Sequence, residues 1–179
     1  MVSLRLLSII LCLVATSASS NSFGNSQQSA PVALEKCGEA RLTVMFWDVY
    51  DSTLYAPQGE YRPGVRPLRL EIRYLRNIKA KDLVKQTRKE WQAQGVMTPE
   101  HDQWLAELGT FWPDVADNDT ITLDLDAAGA ATFSFNGEVV GQIADAQFGE
   151  DFAGIWLAPS TTRPELRAAL IGAEGEAEG

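Results

Sequence analysis

The chain has 179 residues, 45% of them apolar and 22% charged, and carries 24 acidic against 15 basic side chains for a net charge of −9. A balance this acidic argues against binding driven by nucleic-acid phosphates or anionic lipid headgroups, so no nucleic-acid partner is expected. One His and two Cys leave little for a zinc site or a Cys/His dyad, and no metal or cofactor is expected.

The opening twenty residues, MVSLRLLSIILCLVATSASS, place one cation at Arg5 before an apolar core from Leu6 to Ala15 and then a run of small residues. That is the layout of a cleaved secretory signal, and its core is far shorter than the roughly 20 residues needed to cross a bilayer. Residues 1–20 therefore read as a signal peptide of a periplasmic or secreted protein, with no stable membrane insertion after cleavage. Removing Arg5 with the leader takes the charge to about −10, and about 159 residues remain, enough for one domain with a core. Residues 21–33, rich in Ser, Asn, Gln and Gly, read as a flexible linker, 34–172 as the domain, and 173–179 as a disordered acidic tail. Cys37 has no partner once Cys12 leaves with the signal. It is either buried beside the first strand or a free thiol.

Leu34 through Tyr55 is a β-branched and aromatic run that reads as one long strand or two with a bend, ended by Pro57, Gln58 and Gly59. Leu68 to Leu75 alternates, with Leu68, Leu70, Ile72 and Tyr74 on one face and Arg69, Glu71 and Arg73 on the other. A helix follows over Lys79–Gln94, stopped at Gly95. Thr98 caps a second with Pro99 at its first position and a stripe of Trp104, Leu105 and Leu108. His101, in its first turn, reads as an ordinary surface or half-buried residue. Asp114, Asp117 and Asp119 lack the spacing and glycine of a calcium loop and read as a turn.

Thr120 to Ile143 reads as a three-stranded meander in which Asn136-Gly137 supplies the positive φ angles of a tight hairpin. Phe148, Phe152, Ile155 and Trp156 form the apolar stripe of a third helix, weakened by Gly149 and Gly154. Thr162, Arg163, Pro164 and Glu165 suggest a capping box opening a last short helix. Strands, helices, strands, helices in that order make an α+β domain, an antiparallel sheet with helices packed on one face and room for a pocket between the layers.

Four stretches carry a resemblance. GEARLTVMFWDVYDSTLY (38–55), Arg73-Tyr74-Leu75-Arg76, the Phe135-Asn136-Gly137 turn and FAGIWLAPSTTRPELRAALIG (152–172) resemble, in order and spacing, the bacterial exported branch of the chalcone isomerase-like family. The resemblance implies an open-faced β-sandwich and a family that includes both chalcone isomerases and fatty-acid-binding proteins. It places the family's Gly-x-x-Arg arginine at Arg41 and its hydroxyl residue at Tyr50. It thereby implies a clamp for the carboxylate of a small lipophilic ligand, with Trp47, Tyr74, Phe133 and Trp156 as walls.

Chalcone-type cyclisation needs a positioned proton-handling group. After Leu75 the sequence offers Asn77, Lys79 and Asp82 but no Tyr, so a non-catalytic binder is expected. A ligand-free structural or interaction domain and an isomerase or lyase of altered chemistry stand as alternatives. Residues nine apart face opposite sides of an unbroken strand, so the clamp requires the chain to double back between Arg41 and Tyr50. Otherwise Arg41 pairs with an acidic neighbour and Tyr50 is a core aromatic.

Overall fold

In the computed structural model, which describes residues 32–173, an antiparallel sheet of six strands runs in simple meander order. The strands are β1 (Leu34–Val44), β2 (Trp47–Pro57), β3 (Leu68–Tyr74), β4 (Thr120–Leu125), β5 (Ala131–Phe135) and β6 (Glu138–Ile143). Helices α1 (Ala80–Gln94) and α2 (Pro99–Phe111) join β3 to β4, and α3 (Ala146–Leu157) and α4 (Pro164–Leu170) follow β6. The readings for the signal peptide, most of the linker and nearly all of the tail fall on residues 1–31 and 174–179, outside the described residues.

Alternation along each strand decides which face is covered. Leu54, Leu70, Ile72, Leu123 and Phe133 are buried on one side, against Trp91, Leu105, Leu108, Phe148 and Phe152 from the helices. The other face carries Arg41, Asp51, Arg69, Arg73 and Asp124, cross-linked by ion pairs over neighbouring strands. Burying the apolar side at roughly 25 cal/mol per Å2 while leaving charges solvated makes one orientation of every strand strongly preferred.

The long apolar run from Leu34 is two strands. Met45 and Phe46 form the turn between β1 and β2, with Met45 at φ 59°. Gly38 on β1 lets α4 lie against the sheet edge, since a Cβ there would meet the carbonyl oxygens of Ala169 and Leu170 at 2.1 and 2.7 Å. Cys37 beside it is half-buried, and burial pushes its thiol up, away from nucleophilic use. The acidic loop is a structural turn: Asp114 accepts from Lys79 Nζ and the Ala80 N–H, and Asp119 from the Ala116 N–H and Asn136 Nδ2.

Two local expectations are corrected. His101 is 1% exposed, set between the rings of Trp91 and Trp104. Its Nδ1 accepts the Thr98 N–H in a capping box, and its Nε2 lies 3.2 Å from Asp151 Oδ2. Polar neighbours in sequence concealed a side chain that the capping turn aims inward. The capping box at Thr162 does not form: α4 starts after Arg163, whose N–H donates to Thr161 Oγ1, and the Thr162 hydroxyl donates instead to Glu90 on α1.

Candidate functional site

Between the apolar face of the sheet and helices α1 and α3 lies a cavity of about 390 Å3. That is within the roughly 300–1,000 Å3 of small-molecule sites. Its floor is Tyr50, Ile72, Tyr74, Ile121, Leu123 and Phe133 from β2 to β5, its roof Leu83, Phe152, Ile155 and Trp156. Val44, Asp82, Gln86 and Arg163 line it while remaining exposed, and so form its mouth.

Tyr50 provides its most specific polar contact. Its hydroxyl oxygen accepts a hydrogen bond from Trp156 Nε1 at 2.8 Å. Among the described residues no acceptor is in place for the hydroxyl's own proton, which can be donated to a ligand oxygen. Burial pushes the phenol up to about 12, against a smaller opposing effect from the Trp156 hydrogen bond. Tyr50 is therefore protonated at neutral pH, a donor and not a base. Tyr74, packed edge-on to Tyr50, is pushed up by burial as well. Arg163 brings the one cationic side chain of the lining. Among the described residues its guanidinium has no carboxylate partner within ion-pair distance. Glu90, also in the lining, is held by Gln86 Nε2 at 2.7 Å and the Thr162 hydroxyl at 2.7 Å. Trp112, in the lining and packed edge-on against Phe133, keeps a buried indole N–H that no group accepts among the described residues.

Of the residues expected here, Tyr50, Tyr74, Phe133 and Trp156 all line the cavity. Arg41 does not. The chain does double back after it, but the hairpin register pairs Leu42 with Tyr50 and Arg41 with Asp51. Cross-strand partners share a face, so Leu42 and Tyr50 look into the cavity while Arg41 looks out of the far side of the sheet. There its guanidinium donates to Asp51 at 2.6 and 3.0 Å and to Asp48 at 3.1 Å, and Arg41 foremost holds the Asp51 carboxyl below its usual range. Trp47 is likewise no wall: it is 65% exposed on the hairpin, under the Arg76 guanidinium. The cation that sequence reasoning missed is Arg163, in the irregular segment between α3 and α4, where no periodicity marks a facing direction.

An open-faced antiparallel sheet with helices over one side and an apolar cavity between the layers defines the chalcone isomerase type of α+β fold. The chain belongs to the chalcone isomerase-like family, whose model matches residues 24–172. It is 30% identical over 145 residues to an uncharacterised protein of Haemophilus influenzae, a match spanning 80% of this chain and 71% of that one. In structure it is similar to the Arabidopsis thaliana fatty-acid binding protein, with a TM-score of 0.62 at 10% identity over 78% of this chain and 87% of the other. At that identity the likeness concerns the fold alone.

Proposed function

We propose that this protein is an exported, non-catalytic binder of a lipophilic carboxylate such as a fatty acid, held in the cavity between sheet and helices. The observation that carries the reading is the Tyr50 hydroxyl. Trp156 fixes its oxygen, its proton is unspent, and it sits in an apolar cavity that also has Arg163 in its lining. A phenol donor and a guanidinium suit the two oxygens of a carboxylate, since charge-assisted hydrogen bonds are about twice as strong as neutral ones. An acyl chain on the aromatic and aliphatic walls gains roughly 0.8 kcal/mol per buried methylene. Glu90 opposes a second negative charge, but its oxygens already accept from Gln86 and Thr162. The protonated state of Tyr50 supports binding over proton abstraction. The apolar leader MVSLRLLSIILCLVATSASS supports export.

The experiment is solvent extraction of the purified protein followed by mass spectrometry, with displacement of a fluorescent fatty acid as the affinity readout. A co-purified acid, and displacement by a free fatty acid well ahead of the matching alcohol, are expected. Equal displacement by acid and alcohol would remove the carboxylate from the reading, and no uptake of either would end it.

A further inference from the structure

The tip of the β1–β2 hairpin is built against the interests of a soluble domain. Val44, Met45, Phe46 and Trp47 are consecutive and 40, 84, 92 and 65% exposed. Their only large apolar companions at such exposure among the described residues are Val32 and Val139. Nor does the turn itself call for them. Met45 sits at φ 59°, a left-handed conformation that residues with a bulky side chain adopt reluctantly and Asn or Gly adopt readily. The chain supplies its own comparison at the β5–β6 hairpin, where Asn136 and Gly137 take φ 50° and 90°. Where a tight turn alone is needed, this sequence uses Asn-Gly; at the β1–β2 tip it holds Met-Phe in its place.

We propose that this tip is a prong that seats reversibly in the interfacial layer of a phospholipid bilayer. Its chemistry fits that layer. Trp47 lies beneath the Arg76 guanidinium, 5.6 Å from the ring centre, an amphipathic pair of the kind favoured at the headgroup level, while Met45 and Phe46, in the turn itself, are the most exposed of the four. Its size fits a bilayer better than a protein. Four side chains on a convex tip offer roughly 500 Å2 at about 150–250 Å2 per aromatic, short of the roughly 800 Å2 per partner of a stable protein interface. Its charge is balanced, because Arg41 pairs with Asp48 behind the tip, and the chain as a whole is acidic. Docking therefore runs on apolar insertion rather than attraction to anionic lipid, and no described helix is long and apolar enough to cross a membrane. Position adds a use: Val44 belongs both to the prong and to the cavity lining. A docked prong sets the cavity mouth at the lipid surface, where an acyl ligand could pass between bilayer and protein without crossing water; that last step alone rests on the function proposed above.

The test compares the full chain with Met45→Gly/Phe46→Asn, which puts glycine at the one positive-φ position of this turn and a polar residue after it, in flotation with phosphatidylcholine and phosphatidylethanolamine vesicles. The variant is expected to keep or raise its melting temperature and to lose vesicle partitioning by at least about tenfold, with little dependence on salt. In the same vesicles, phosphatidylcholine carrying brominated acyl chains is expected to quench a fluorescence component that is absent from Trp47→Phe. Equal partitioning of both chains, or none by either, overturns the proposal. So does self-association of the parent that the variant abolishes, which would make the tip a contact between copies. Fatty-acid affinity measured without vesicles is expected to be the same in both, so failure of docking and failure of ligand binding are read separately.

Discussion

Tyr50→Phe removes one oxygen from the candidate site and leaves the ring, so it isolates what the hydroxyl does. In the ligand-free protein the change strands Trp156 Nε1, which now donates to that oxygen at 2.8 Å. Trp156 is only half-buried and can turn its N–H toward water, so the stability cost is about 1 kcal/mol, a modest fall in melting temperature. With a carboxylate bound, the variant also loses a hydrogen bond to a charged group, worth about 1.5–3 kcal/mol, or roughly 10- to 150-fold in Kd. Fluorescent fatty-acid displacement measures the affinity and a thermal melt the stability. The matching fatty alcohol, which carries no charge, is expected to lose much less. If Tyr50→Phe lowers the melting temperature but leaves fatty-acid affinity within about twofold, the Tyr50–Trp156 bond is a structural contact and the argument for a headgroup site fails.

Further outcomes follow from the same geometry. Arg163→Ala is expected to weaken fatty-acid binding by about tenfold or more, whereas Arg41→Ala, on the far side of the sheet, is expected to leave it unchanged; displacement titrations of the pair separate the two arginines. Gly38→Ala would drive a Cβ to 2.1 Å from the Ala169 carbonyl oxygen, so α4 must lift from β1, with an expected loss of about 1–3 kcal/mol in urea unfolding. Because Arg41 and Arg73 hold the Asp51 carboxyl below its ordinary range in the folded chain, its stabilisation is present above about pH 4 and is lost as pH falls further through the lowered folded value. Asp51→Asn is expected to flatten that part of the stability profile, as read by urea melts between about pH 3 and pH 6.

What could be read from the sequence and what could not divides along the range of the interactions. The β3 alternation, the Asn136-Gly137 hairpin, the Gly95 stop and the apolar stripe of α3 are set by neighbours a few residues away, and each is found as expected. The β1–β2 hairpin was visible only as a required bend, because its turn is made of Met45 and Phe46 rather than a turn-forming pair. Register then decided the rest. Leu42 rather than Arg41 stands opposite Tyr50, and a shift of one residue sends a side chain to the other face. Arg163 reaches the cavity through the fold and not through any local pattern. The burial of His101 did leave a local sign, the Thr-x-x-His spacing at the start of α2, in which the ring takes the place usually held by Glu or Gln in a capping box.

In the proposed binding mode a lipophilic acid enters the cavity with its carboxylate at Tyr50 and Arg163. Palmitic acid labelled with 13C at its carboxyl, titrated into the purified protein and followed by NMR, addresses it directly. A saturable bound resonance is expected, ionised at neutral pH, its chemical shift moved by Tyr50→Phe and by Arg163→Ala but not by Arg41→Ala. A bound resonance indifferent to Tyr50 and Arg163, or no saturable signal at all, would contradict it.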